Sequence, residues 1–149
     1  MVQFNIIDDD NRRQSCTFAL SLRIMGDALI PDDITRLMGR SPDLAYTKGG
    51  VFHTPNGREV HGRTGMWSVR GPREVEGEFY ELVAAFLAGL PASTDVWRMV
   101  AKDLKIELFV GVFMGKPNTG FVLSPKVMAL LAERNCEIGF DLYGLFEDE

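Results

Sequence analysis

Between Thr17 and Met25 the side chains alternate without a break. Phe18, Leu20, Leu22 and Ile24 fall on one face, and Ala19, Ser21 and Arg23 fall on the other. A period of two belongs to an extended strand. One apolar face beside one mixed face belongs to a sheet that is covered on one side and wet on the other. The pattern therefore asks for neighbouring strands and for a separate layer over the apolar face.

The covering layer is also legible. From Glu76 to Leu90, the residues Phe79, Leu82, Val83, Phe86, Leu87 and Leu90 follow the 3, 4 and 7 spacing of one helical stripe. Glu74, Glu76, Glu78 and Glu81 load its N-terminal end, where the helix dipole favours acids. Gly89 and Pro91 end it. A second helix follows, with Ser93 or Thr94 as N-cap and Val96, Trp97, Val100 and Leu104 on its apolar side. Pro31 to Gly39 reads as a short helix with Asp32 and Asp33 in its first turn. Ser124-Pro125 opens another that runs to about Arg134, with the serine as cap and the proline at the first helical position.

Further strands are expected at 44–47, 51–54 and 66–70, separated by glycine-rich turns. Asn56-Gly57 is a two-residue hairpin signal. Lys105 to Phe113 alternates again, and both of its faces are fairly apolar, which suits a central strand. Phe121-Val122-Leu123 reads as short and extended. Glu137 to Tyr143 is the last strand, with Ile138, Phe140 and Leu142 on one face. A faint echo links residues 29–38 with 122–131, either as a duplicated strand–turn–helix unit or as two independent solutions to one local problem.

Composition narrows the class. The chain has 149 residues, with 46% apolar and 25% charged side chains, as in an ordinary globular protein of one domain. A chain of that length needs neither disulfides nor metal to build a core. Residues 1–15 read as a frayed lead-in without a secretory pattern, and 145–149 as a mobile acidic tail. No apolar run reaches the length that spans a bilayer. Cys16 and Cys136 belong to no Cys-x-x-Cys pair. They are expected as free thiols in a reducing compartment, and a disulfide requires that both open neighbouring strands.

The order of motifs has a counterpart. A first strand leads into Pro31-Asp32-Asp33-Ile34-Thr35, with Gly39 closing the helix. Pro42 and Lys48-Gly49 follow, then Trp67 in a strand, then an acidic-headed helix. Near the end, Phe121-Val122-Leu123-Ser124 precedes a helix and a final strand finishing Asp141-Leu142-Tyr143. Over nearly the whole chain this resembles the bacterial domain of unknown function 4279 family. The resemblance implies a small α+β domain of the bacterial cytoplasm. It implies no reaction, no cofactor and no catalytic residue.

The chemical signal in the residues is charge segregation. Residues 40–73 hold six basic side chains, Arg40, Lys48, Arg58, Arg63, Arg70 and Arg73, against the acids Asp43 and Glu59. That segment carries +4, and the rest of the chain −9. One reading is a surface for an anionic small molecule or an acidic protein partner. The other is internal pairing with Asp32, Asp33 and the acids of residues 74–81. Trp67, flanked by Arg63 and Arg70, is either a core anchor or a ring over which a planar or anionic ligand is held. His53 and His61 are either exposed loop residues or a general base. Gly62-Arg63-Thr64-Gly65 has the spacing of a backbone-clamping loop, but that loop belongs between helices and this one precedes a strand. A net charge of −5 also repels a polyanion, so nucleic acid is not expected.

The expectation is a single α+β domain whose mixed, mostly antiparallel sheet has helices packed on one face. Lys48, His53, Arg58, His61, Arg63, Trp67 and Arg70 are the candidates for contact with an anion or a partner. No catalytic residue, metal ligand, cofactor or membrane contact is assigned. A non-enzymatic binding or interaction module of the cytoplasm is favoured. The alternatives are a small enzyme acting on an anionic substrate with His53 or His61 as base, and an immunity-like protein that blocks a partner. The oligomeric state is not legible.

Overall fold

The computed structural model describes residues 16–144; the expected lead-in and acidic tail lie outside the described residues. The strands are β1 (Cys16–Gly26), β2 (Leu44–Tyr46), β3 (Val51–His53), β4 (Glu59–His61), β5 (Gly65–Arg70), β6 (Lys105–Met114) and β7 (Cys136–Tyr143). The helices are α1 (Pro31–Met38), α2 (Phe79–Leu87), α3 (Thr94–Ala101) and α4 (Pro125–Glu133). Five strands form one sheet in the order β2-β5-β1-β6-β7, and β3 and β4 form a separate two-stranded ribbon. Three of the four neighbour pairs in the large sheet are antiparallel; β6 and β7 run parallel, joined through α4. This is the expected α+β domain.

The core lies where the alternation puts it. Phe18, Leu20, Leu22 and Ile24 of β1, Trp67 and Val69 of β5, and Ile106, Leu108, Val110 and Val112 of β6 are all buried on one face. The helices cover that face: α1 on β5, α3 on β6 and α4 on β7, with α2 against α4. Ile34, Met38, Phe79, Val83, Phe86, Leu87, Trp97, Val100, Val127 and Leu131 close the core from the helix side. Gly39 ends α1 in the left-handed region at φ 66°, where its amide donates to the Thr35 carbonyl.

Several local expectations shift. The long helix begins at Phe79 rather than Glu76. β5 ends at Arg70, which leaves the outer edge of β1 unpaired at Leu20 and Phe18. Residues 71–75 fill that edge: Gly71 donates to the Leu20 carbonyl, Leu20 to Pro72, and Val75 and Phe18 exchange both bonds. Glu74 then turns through φ 51° and Gly77 through φ 147°, so Glu74 and Glu76 lie outside the helix they were expected to head. In the ribbon, the amide of Gly57 donates to Thr54 and the amide of Thr54 to Arg58. Gly57 sits at φ 79° and Asn56 does not have positive φ. The turn is thus a three-residue loop closed by glycine rather than a two-residue one. Phe121 pairs with no strand; its ring joins those of Phe18, Phe79 and Phe140 at centroid distances of 5.1, 5.1 and 5.8 Å.

The echo is local. Pro31 and Pro125 open their helices alike, but the strand that follows α1 in the large sheet beside β1 is antiparallel to it, whereas β7 is parallel to β6. The Ser124 cap is present: its Oγ accepts from the amide of Val127 at 3.3 Å. Ser124→Ala should lower stability by about 0.5–2 kcal/mol and Ser124→Gly by only a few tenths, measured by denaturant unfolding. Equal, large losses for both would assign the hydroxyl a tertiary role.

Both cysteines open strands, and both are free and buried. Cys16 faces Met114 and Cys136 lies beside Ile106, eight residues apart on the intervening β6, or roughly 26 Å at ~3.3 Å per residue. A disulfide needs Cα atoms within about 7 Å. Burial pushes the Cys136 thiol up to about 12. Cys136 should therefore stay silent to a thiol reagent at pH 8 in the folded protein. Both thiols should react on unfolding without reductant. A mass two hydrogens short in the intact protein would contradict the geometry.

Candidate functional site

The candidate site lies on the face of the large sheet that no helix covers among the described residues. Along β1 the residues between the core positions are Ala19, Ser21 and Arg23. Their partners on β6 are Gly111, Phe109 and Glu107, and Ser21 also faces Arg70 of β5. Tyr143 of β7 lies beside Phe113. Ala19, Ser21 and Gly111 are small, and the side chains around them are large. The result is a hollow of about 200 Å³, open to solvent, with small residues as its floor and Arg23, Arg70, Arg73, Phe109, Phe113 and Tyr143 around it.

Its walls are built from ring contacts. The Arg23 guanidinium lies 3.7 Å from the centre of the Phe109 ring. The Phe113 and Tyr143 rings stack at 4.8 Å and 7°. Arg23 also approaches Glu107 at 3.9 Å, a loose ion pair. The Tyr143 hydroxyl donates to Asp141 at 2.6 Å, and this bond holds the phenol above its ordinary range. The side chains of Arg70 and Arg73 make no ion pair among the described residues. Three guanidinium groups thus line an aromatic-walled hollow. Such a surface can form charge-assisted bonds to an anion while a flat group rests on the rings.

The basic segment does not converge on one place. Lys48 pairs with Asp27 at 2.9 Å, and Thr64 donates to the same carboxylate at 2.9 Å. These two bonds hold the Asp27 carboxyl below its usual range. His53, Glu59 and His61 share one face of the ribbon, since His53 faces Glu59 and His61 faces Val51. All three are exposed, and His61 lies 3.3 Å from Glu59. The ribbon's other face packs Phe52 onto Tyr46 at 4.5 Å. Arg58 is exposed at the ribbon turn, and Arg63 is exposed in the loop that links β4 to β5. Neither histidine lines the hollow with the arginines. The Gly62–Gly65 segment joins two strands rather than two helices.

Trp67 is fully buried and donates to the Thr35 hydroxyl at 3.0 Å. It anchors α1 to β5, and among the described residues no arginine lies over it. Of the seven candidates, only Arg70 reaches the hollow. Arg23, Arg73, Phe109, Phe113 and Tyr143 were missed. Their signal was present: Arg23 stands on the wet face of the first strand, and Phe109 and Phe113 stand on the face of β6 opposite Leu108 and Val110. Among the described residues all four helices lie on the core side of the sheet, and these rings line the hollow on the other. Internal pairing of the basic segment is found only at Lys48 and His61 among the described residues.

Among the described residues no grouping of three His, Cys, Asp or Glu side chains is placed to hold a metal ion, and no helix is long and apolar enough to cross a membrane. No significant match is found among curated proteins or among solved structures. The sequence profile described as Domain of unknown function (DUF4279) matches residues 15–145. The match takes in every element of the sheet, the helical layer and the hollow, and the chain belongs to the DUF4279 family.

Proposed function

We propose that the domain is a binding module whose open sheet face holds a small anion bearing a flat apolar group, such as an aromatic carboxylate or a nucleoside phosphate. The observation that carries this reading is the placement of Arg23, Arg70 and Arg73 around a small-residue floor walled by Phe109, Phe113 and Tyr143. Guanidinium groups supply paired donors to carboxylate or phosphate oxygens, and the rings supply a surface for stacking. The enzymatic alternative draws no support from the hollow, because His53 and His61 stand on the ribbon. Two buried free thiols suit a reducing compartment such as the cytosol.

The test is a thermal-shift screen at low salt with inorganic phosphate, aromatic carboxylates and nucleoside monophosphates. A binder at 100 times its dissociation constant should add about 2.7 kcal/mol. Arg70→Gln and Arg73→Gln should weaken the response while changing the stability of the unliganded protein by no more than about 0.5 kcal/mol. Ser21→Leu, which fills the floor, should abolish it. Arg58→Gln and Arg63→Gln should leave it intact. High salt should weaken binding, since the Debye length shrinks from ~10 Å at 0.1 M to ~3 Å at 1 M. A flat response of the parent protein across the panel would overturn the small-anion reading and leave a protein partner. A response lost in Arg58→Gln rather than Arg70→Gln would move the site to the ribbon.

A further inference from the structure

The two edges of the large sheet differ. One is β2, three residues long. The other is β7, eight residues long, with no strand on its outer side among the described residues. A long unpaired edge offers a row of backbone donors and acceptors to another strand. Edges are ordinarily guarded by proline, lysine or an inward charge; β7 has none of these on its helix-side face, which reads Cys136, Ile138, Phe140 and Leu142. Phe140 is 39% and Leu142 63% exposed. Val122 and Leu123, which follow Phe121, are also exposed, as is Met128 on α4, the helix that packs against β7. Phe121 itself touches Phe140. The edge is therefore the margin of an apolar patch.

The charges of the strand select an occupant. We infer that β7 pairs antiparallel with β7 of a second copy about a two-fold axis at Phe140, which joins two sheets into one of ten strands. In this register Phe140 faces Phe140, and Ile138 faces Leu142 of the second copy, all on the helix side. On the open side, Glu137 faces Tyr143 and Asp141 faces Gly139. No like charges oppose one another, and the strand is used over nearly its full length. A slip of two residues in one direction sets Glu137 against Asp141; in the other it sets Asp141 against its own copy. Like charges directly opposite in a ladder are unfavourable. A slip of one residue would turn the helix face of one copy toward the open face of the other. The acids are also already partnered within the chain, Glu137 by Lys105 at 2.7 Å and Asp141 by Tyr143, so neither guards the edge. A contact of this kind is self-complementary, as two-fold symmetry requires.

The experiment is a solution mass followed by cross-linking. The parent protein should sediment at twice 16.6 kDa. Leu142→Lys, at a site already largely exposed, should sediment at 16.6 kDa with its circular dichroism spectrum unchanged. Phe140→Cys should form a disulfide dimer on mild oxidation, because directly opposed residues have Cα atoms about 4.5–5.5 Å apart, within disulfide range. Leu142→Cys should not, since its own copy would lie four residues away along the ladder, roughly 13 Å. The parent, whose two cysteines are buried, is the blank. A monomeric parent overturns the inference and leaves the edge to a different protein. A dimer that survives Leu142→Lys, or one in which position 142 cross-links and position 140 does not, overturns it equally.

Discussion

Phe86→Ala should lower stability by about 3–5 kcal/mol in denaturant unfolding, a large part of the ~5–15 kcal/mol available to a domain of this size. Phe86 is the point at which α2 meets the strand edge. It is buried, and it lies over Gly71, whose amide donates to the Leu20 carbonyl at 2.7 Å. A Cβ built on Gly71 would stand 2.8 Å from Phe86 Cδ2 and 3.2 Å from the Leu20 carbonyl oxygen. The glycine is thus required by the close approach of the ring. Gly71→Ala alone should cost about 1–3 kcal/mol through overpacking. In the Phe86→Ala background the same change should cost far less, because the ring that it meets is gone. Additive losses in the double variant would mean that the ring and the glycine do not share one contact.

Trp67→Ala should have an effect of similar size, about 3–5 kcal/mol. The indole is fully buried between β5 and α1, where Ile34 and Met38 are buried with it. Its loss would leave a cavity beneath a helix of only eight residues. Trp67→Phe separates the two contributions. It keeps much of the apolar volume and removes the bond to Thr35, so it should cost clearly less than the alanine change. Thr35 is only half-buried, so its hydroxyl can turn to water when the indole is absent. Thr35→Val should also lower stability, by about 1–3 kcal/mol, because it leaves a buried indole N–H without an acceptor. A Trp67→Ala protein as stable as the parent would place this ring at a surface and restore it as a ligand contact.

The elements most legible in the sequence are those with a dominant period. The alternation at residues 17–25 and 105–113 gave β1 and β6, and the stripe from Phe79 to Leu90 gave α2, because a half-buried element must repeat its apolar residues at its own pitch. Caps with a local chemistry were equally readable, as Gly39 and Ser124 show. The start of α2 was not. Four glutamates favour a helix N-terminus, yet residues 71–75 serve a distant need, the unpaired edge of β1 at Leu20 and Phe18. A long-range backbone demand outweighed a dipole preference worth about 0.3–1 kcal/mol for each acid. Asn56-Gly57 marked a turn correctly but not its type, since the registers of β3 and β4 set the loop length.

The candidate site divides along the same line. A run of like charge along the chain is a one-dimensional fact. Folding sends Lys48 to Asp27, the histidines to one face of the ribbon, Trp67 to the core, and only Arg70 and Arg73 to the sheet. Strand alternation alone separates Trp67 from its near neighbour Arg70, since residues three apart on a strand point to opposite faces. The hollow instead draws on β1, β5, β6 and β7, whose segments lie far apart in the chain. Which residues face each other there depends on strand order and register, and neither is written in any local pattern. By itself the sequence determined the α+β class, the positions of most elements, the core face and the free state of the cysteines as an expectation. The tertiary structure alone decided that the cysteines stand at opposite ends of the sheet, that arginines and aromatic rings meet on one side of it, and that β7 is its last strand among the described residues. The physical reason is that periodicity fixes which face of an element is apolar, whereas only the pairing of backbones fixes which elements become neighbours.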